Sequence, residues 1–258
     1  LIFISSSFMV IGLFYSFLPL LSFVIFSLSI FFGIFLLWKS YELNKSFLYK
    51  WSIGIYQSNS PLTLTGQDIP NPVISFKEIK DIDANFVADP FLILEKDKYY
   101  LFFNSFNSKT KKGEIGLATS KDAINWNYER IILKEKFHLS YPYIFLWNDE
   151  YYMLPETGKT KSVRLYKAEK FPYKWVFVKE ILKGKEFMDP TIFFYNNLWW
   201  LFTETKYNSV LRLYYSNTPL GPWSEHKKSP IIEGDSSIAR PAGNVIFYNK
   251  KLIRFTQD

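Results

Sequence analysis

Asp189-Pro190-Thr191-Ile192-Phe193-Phe194-Tyr195-Asn196-Asn197-Leu198-Trp199-Trp200-Leu201-Phe202-Thr203-Glu204 is the stretch that decides the fold. An X-Pro step opens an apolar run of strand type, a polar Asn-Asn pair breaks it, and an aromatic-rich run returns. Asx-rich pairs between two such runs are the signature of a β-hairpin. The same phrase occurs three more times. Asp89-Pro90 leads to the turn Lys96-Asp97, Tyr141-Pro142 to Asn148-Asp149, and Arg240-Pro241 to Asn249-Lys250. The openings lie 52, 48 and 51 residues apart. A sequence period in this range marks a solenoid, a propeller or an array.

Working outward, each hairpin is followed by a third strand-like run: Glu114–Ala118, Val163–Tyr166 and Leu211–Tyr215. A fourth run follows a tryptophan each time, Trp126, Trp175 and Trp223. Four short antiparallel strands in about fifty residues make one propeller blade. Kelch blades share the period, but their glycine pairs are absent. A β-sandwich would not require four near-equal copies. The expected fold is therefore all-β, a five-bladed β-propeller over residues 51–258. Residues 89–236 supply three whole blades and 239–258 the first hairpin of a fourth. Residues 51–87, with Trp51–Tyr56 and Pro72–Phe76, are expected to add strands of the closing blade. Five blades need roughly 250 residues at this period. Only 208 follow Lys50 and the chain stops within a repeat, so the propeller is expected to be C-terminally truncated and the chain a piece of a longer protein.

Upstream of the repeats, Leu1 to Trp38 contains no charged residue or histidine. A single helix of that length would span roughly 57 Å, against a hydrocarbon core of about 30 Å. The break falls at Pro19. Two transmembrane helices are expected, about residues 1–17 and 20–38, followed by a juxtamembrane linker over 39–50. A signal peptide has a shorter apolar region and a basic start. Lys39, Lys45 and Lys50 follow the apolar stretch and only Glu42 opposes them, which places the propeller of this integral membrane protein on the cytoplasmic face.

Composition narrows the chemistry. There is no cysteine, and His138 and His226 are the only histidines, so neither a thiolate nor a histidine metal cage is available. No metal or other cofactor is expected. The formal charge is +7, spread without a basic stripe. That reads as a solvated surface, with an anionic membrane or glycan as the lesser alternative and no nucleic-acid partner.

In a propeller the residue opening each first strand sits at one rim of the central channel. Antiparallel pairing returns the end of the second strand to the same rim. The midpoints of Asp89 with Asn104, Tyr141 with Glu156, and Asp189 with Glu204 all fall on the turns. Arg240 pairs in the same way with Gln257 or Asp258. The apolar frame repeats while these polar groups vary, as expected of a site on a symmetric scaffold. The structural alternative for any one of them is a backbone-bonded strand end. Carboxylates and aromatics suit sugars, and a pair of carboxylates is the minimal machinery of glycoside hydrolysis. Asp89, Glu156, Asp189 and Glu204 are the candidate catalytic residues. Tyr141, Asn104, Arg240, His138 and Asp258 are the candidate substrate-binding residues.

Ala88-Asp89-Pro90-Phe91, His138-Leu139-Ser140-Tyr141-Pro142, Tyr152-Met153-Leu154-Pro155-Glu156-Thr157 and Arg240-Pro241-Ala242-Gly243 through Gln257-Asp258 together carry a resemblance. Residues 51–258 resemble the N-terminal domain of glucosamine inositolphosphorylceramide transferases and its bacterial relatives. That domain is similar to the five-bladed propellers of glycoside hydrolase family 43. The resemblance implies a carbohydrate or glycolipid ligand and, in eukaryotic members, a transferase domain further along the chain. It also implies that Asp89 matches the hydrolase base or nucleophile. Two positions depart from the hydrolase pattern. Tyr141 stands where those enzymes have an acid-tuning Asp, and Asp189 stands where they have the acid Glu, with Glu204 one hairpin later. The expected function is a membrane-anchored, glycosidase-like domain acting on or binding a glycan or glycolipid. The alternative is a non-catalytic glycan-recognition module serving a partner or fused glycosyltransferase. A protein-interaction propeller would not need a carboxylate-lined funnel.

Overall fold

Three of the four repeats fold as complete four-stranded antiparallel blades in a computed structural model that describes residues 26–41, 51–63, 69–206 and 208–257. The first blade is β1 (Ala84–Glu95), β2 (Lys98–Asn107), β3 (Lys112–Ser120) and β4 (Asn127–Leu133). The second is β5 (Ser140–Trp147), β6 (Glu150–Glu156), β7 (Ser162–Lys170) and β8 (Lys174–Lys183). The third is β9 (Met188–Tyr195), β10 (Leu198–Thr205) and β11 (Val210–Ser216). Its outer strand is split into β12 (Ser224–Glu225) and β13 (Ile232–Glu233), both paired with β11, where one continuous strand was expected. The fourth repeat supplies an inner hairpin: β14 (Arg240–Pro241) pairs β17 (Thr256–Gln257), and β15 (Ile246–Tyr248) pairs β16 (Lys251–Ile253).

The four turns are the same object. Lys96-Asp97, Asn148-Asp149, Asn196-Asn197 and Asn249-Lys250 each have φ near 50° and 60° in succession. Two consecutive residues of positive φ define the type I′ turn, whose twist matches that of the flanking strands. The tryptophans before the outer strands also repeat a contact. Trp126, Trp175 and Trp223 donate their indole N–H to the carbonyls of Ala123, Pro172 and Pro219, which pins the loop leading into the outer strand.

Side chains on a strand alternate between faces, and β2 shows where the core lies. Phe102 joins the main core that runs through blades one, two and three, with Ile115, Leu117, Leu154, Leu165 and Ile192. Leu101 and Phe103 face the other way, into a second core with Val87 and Ala118. Ile53, Ile74 and Ile79 cover that second face. Residues 51–87 were expected to form strands of a closing blade. Among the described residues 51–83 hold one bridge, Ile53 with Ile74, and residues 84–87 belong to β1 itself.

The chain divides into two compact units, Leu1–Lys50 and Trp51–Asp258. In the first, helix α1 runs over 26–41, past the expected end at Trp38, with Phe31 and Leu37 exposed. Sixteen residues rise about 24 Å. Among the described residues no helix is long and apolar enough to cross a membrane. The expected helix over 1–17, the break at Pro19 and most of the 39–50 linker lie outside the described residues. Helix α2 (Ser236–Ala239) is a single turn, with Asp235 accepting from Ser237 N at 3.0 Å.

Leu165 is fully buried, whereas Leu94 is 57% exposed although both are strand leucines. Leu165→Ala should lower the unfolding free energy by about 2–5 kcal/mol and Leu94→Ala by less than about 0.5 kcal/mol. Urea unfolding of the purified protein measures both. Equal losses would refute the placement of the core.

Candidate functional site

The strand openings share a backbone peculiarity. Asp89, Tyr141 and Asp189, each followed by proline, have φ of 53°, 46° and 47°. Left-handed backbone costs an L-residue about 1–2 kcal/mol, and a bulky residue such as tyrosine seldom adopts it. In each blade this residue sits in a β-bulge. Pairing runs Ala88 with Asn104 but Phe91 with Phe102, and Ser140 with Glu156 but Tyr143 with Leu154. In the third blade it runs Met188 with Glu204 but Thr191 with Phe202. The midpoint expectation is therefore off by one. Asn104, Glu156 and Glu204 face the residues before Asp89, Tyr141 and Asp189. A bulge bends the strand and re-aims a side chain, and here it turns three openings toward the channel. Arg240 has φ −84°, so the fourth opening lacks this feature.

Asp89, Asn104, Tyr141, Glu156, His138 and Arg240 line one cavity of about 730 Å³. Aromatic residues Trp51, Phe86, Phe91 and Phe106 form much of its wall. Asp189 lies at the centre of the cluster and is 1% exposed. Arg240 Nε and Gln257 Nε2 both donate to Asp189 Oδ2, the latter at 2.8 Å. Arg240 Nη2 is 3.8 Å from Glu156 Oε2. Glu204 belongs to a neighbouring cleft, where its Oε1 accepts from Ser209 N at 3.1 Å. That contact makes Glu204 an anchor for the β10–β11 turn. Asp258 lies outside the described residues. Gln257, which the hairpin arithmetic offered beside Asp258, reaches the cluster. Trp51 carried no signal, because its segment has no repeat partner.

Tyr141 is 2% exposed and acts as a clasp. Its hydroxyl is 2.8 Å from Thr191 Oγ1 in the third blade and accepts from Gly243 N in the fourth repeat at 2.6 Å. Gly243 has φ 113°, open to glycine at no steric cost. A second glycine is required at Gly113, where a Cβ would stand 2.1 Å from the Leu139 carbonyl oxygen and 2.5 Å from Asn104 Oδ1. Gly113 N donates to His138 Nδ1 at 2.8 Å. His138 therefore keeps its proton on Nε2, and burial followed by the nearby Lys159 lowers its pKa. It is a neutral donor at the cavity wall.

Burial pushes the Asp89 carboxyl up to about 6, and the charge of Asp189 adds to the rise. The Tyr141 N–H (3.2 Å from Oδ2), Arg240 and Asn104 pull back. Burial also raises Glu156 well above the carboxylate range, and its hydrogen bond with Asp189 reinforces this. At Asp189 burial again raises the pKa, but bonded Arg240 opposes the rise. Glu156 is therefore the member of that pair that holds the proton, and Asp189 the one that stays ionised. Asn104 Oδ1, Glu156 Oε2 and Asp189 Oδ1 are buried without a hydrogen-bond donor. Leaving such an acceptor unpaired costs about 1–3 kcal/mol. A proton on Glu156 shared with Asp189 satisfies both carboxyl groups, which leaves Asn104 Oδ1 as the unpaired acceptor of the three. Among the described residues no group of three or more His, Asp or Glu is placed to hold a metal ion.

The sequence model of the family described as glucosamine inositolphosphorylceramide transferase 1, N-terminal, matches residues 48–258. Glucosamine inositolphosphorylceramide transferase 1 of Oryza sativa subsp. japonica is 39% identical over 231 residues, covering 81% of this chain and 31% of the relative. The Arabidopsis thaliana protein of the same name is 37% identical over 231 residues, covering 81% of this chain and 30% of the relative. The chain thus spans under a third of the length of these plant relatives. An exo-β-1,3-galactanase structure from Clostridium thermocellum superposes with a TM-score of 0.56 at 14% identity, over 67% of this chain and 41% of that one. That likeness concerns the fold, a propeller of the family-43 glycoside hydrolase kind.

Because folding raises the pKa of Asp89, the group favours the folded state fully below about pH 4, and that contribution is lost as pH rises through about 6. The loss amounts to at most about 3 kcal/mol. Asp89→Asn should abolish this share of the pH dependence. Wild type, compared with the variant, should lose stability between pH 4 and pH 7 in denaturant titrations. Parallel pH profiles for the two proteins would contradict the assignment.

Proposed function

The chain belongs to the family of glucosamine inositolphosphorylceramide transferase N-terminal domains, and from that premise we propose that it is a membrane-tethered, carbohydrate-active propeller that takes a sugar of a glycan or glycolipid into the Asp89 cavity. The observation that carries this reading is the pair of carboxyl groups, Asp89 and Glu156, that line one cavity beside an aromatic wall. Sugars offer hydroxyl donors at their edges and C–H faces for stacking.

Within that reading the cavity is glycosidase-like. Near neutral pH Asp89 is largely ionised while Glu156 keeps its proton. Two carboxyl groups driven to opposite protonation states are the division that general acid and base need. Glu156 would protonate the leaving oxygen, and Asp89 would activate water or attack the anomeric carbon. Asp189 is unsuited to the acid role because Arg240 and Gln257 occupy it. The rival reading is a recognition module serving a fused or partner glycosyltransferase. It is supported by Tyr141, which stands where the hydrolases keep their tuning acid and is engaged as a clasp. The uncharged Leu1–Trp38 segment would hold either version at the bilayer, with the propeller on the cytoplasmic side.

A glycan array and a hydrolysis screen on the detergent-solubilised chain separate the readings. If the domain turns over substrate, Asp89→Asn and Glu156→Gln should abolish turnover while sugar binding persists. If it only binds, Asp89→Asn should weaken binding by about 1–3 kcal/mol, with no turnover in wild type. Absence of both binding and turnover across the array would sink the proposal. For the topology, the propeller should resist protease in right-side-out vesicles and be cleaved after inversion. Cleavage in the right-side-out preparation would reverse it.

A further inference from the structure

The propeller gathers on one rim the positive charge that is scattered along the chain. In an antiparallel blade, the turn after the second strand and the link to the next blade lie at the rim where first strands open. The turns after the first and third strands lie at the opposite rim. At the first of these, the carboxylate rim, the loops are β2–β3, β4–β5, β6–β7, β8–β9, β10–β11 and β13–β14. Together they hold eight lysines against three acids. At the opposite rim the loops are β1–β2, β3–β4, β5–β6, β7–β8, β9–β10, β11–β12 and β15–β16. These hold three lysines and three aspartates, so their charges cancel.

Contacts join the loops of the carboxylate rim into one surface. Gly184 N donates to the Lys161 carbonyl at 2.8 Å, and Lys112 Nζ donates to the Glu135 carbonyl at 3.0 Å. All eight lysines are exposed. Asp83 pairs with Lys109 at 2.8 Å and Glu114 with Lys134 at 3.2 Å. Among the described residues the other six form no ion pair. The loop acids are half as numerous as these six, so the rim stays positive. Below it Asp189 is matched by Arg240 and Glu156 holds its proton, which limits the charge the cavity sets against the lysines. Trp51, 62% exposed, stands at the mouth of the Asp89 cavity on the same rim.

We propose that the carboxylate rim is a docking face for an anionic bilayer, against which the mouth of the Asp89 cavity opens toward the headgroups. The bulk anionic lipid is a surface here and not the ligand of the cavity. Lysines within a Debye length of such a surface each add to the attraction. Lysines on separate loops around a ring suit a charged plane, whereas a strand-like polyanion calls for a basic stripe or groove. Trp51 adds the amphipathic ring that sits at headgroup level. The inference holds whether the cavity turns over its sugar or only binds it, and it adds the direction in which the cavity faces.

The chain has no cysteine, so a single introduced one takes a single fluorophore. Thr110→Cys, in the β2–β3 loop, marks the carboxylate rim, and Ile124→Cys, in the β3–β4 loop, marks the opposite one; both positions are exposed. The full chain is placed in nanodiscs of phosphatidylcholine, alone or mixed with phosphatidylserine, with a quencher on a fraction of the phosphatidylcholine headgroups. In mixed discs the Thr110 probe should be quenched and the Ile124 probe should not, and added salt should release the quenching. Each lysine at the surface contributes about fivefold to docking, so Lys136→Gln, Lys159→Gln and Lys185→Gln together should weaken it roughly a hundredfold. Equal quenching of the Thr110 probe in neutral and anionic discs overturns the proposal, as does quenching that the triple variant keeps. A quenched Ile124 probe also overturns it, since that would lay the opposite rim, with exposed Leu94 and Phe194, on the lipid. Retention on heparin without phosphatidylserine-dependent quenching assigns the rim to a soluble polyanion and counts against the bilayer. None of these readouts involves a sugar, so the docking face and the sugar reading fail separately.

Discussion

The centre of this propeller depends on one backbone constraint, a residue of positive φ placed directly before a proline at the opening of each complete blade. The proline fixes its own φ and removes one ladder donor. The residue ahead of it takes the strain, and the strand gains a bulge. Without the bulge, Asp89, Tyr141 and Asp189 would follow the alternation of their strands. Their side chains would then face the neighbouring blade instead of the channel. Tyr141 shows how the strain is offset. Its ring packs edge-on against Phe91 at 4.8 Å, and its hydroxyl joins the third blade to the fourth repeat.

The second organising element is electrostatic. Asp189 is almost wholly buried, and a carboxylate in that position is tolerated only with charge-assisted partners. Arg240 and Gln257 provide them from the first and last strands of the fourth repeat. The interaction that stabilises the charge also fixes the inner hairpin of that repeat against the third blade. Burial raises the pKa of both Glu156 and Asp89, and the charge of ionised Asp189 close by raises them further. The unequal protonation of the cluster follows from where one guanidinium sits.

Much of this was legible in the sequence because propellers repeat. Four X-Pro openings and four polar turns located the hairpins, and the turns proved to be identical. Antiparallel pairing brought Asp89, Asn104, Glu156, Asp189 and Arg240 to one rim, and the bulges completed their convergence. What escaped is what the repeat does not encode. The bulge adds one residue per opening and moves each partner by one, and no composition signal marks it, since tyrosine and aspartate both occupy the position. Glu204 satisfied the pairing rule as well as Glu156 did. The neighbouring turn, with Ser209 N within reach, decides that one is an anchor and the other faces the cavity. Residues 51–83 read as strands because they are β-branched and aromatic, but Ile53 and Ile74 make a single bridge and spend their burial covering blade one.

The bulge also explains how an acid can be missing from the second blade's opening while the cavity still holds a proton donor. The slip pairs Glu156 with Ser140 rather than with Tyr141. Ser140, Tyr141 and Glu156 all line the cavity, and Glu156 lies against Asp189 there. A tyrosine at the opening and a glutamate at the end of the same hairpin are thus complementary, one closing the channel and the other carrying the proton. Among the described residues, Glu156 is the acid that lines both the Asp89 cavity and the neighbouring cleft of Glu204.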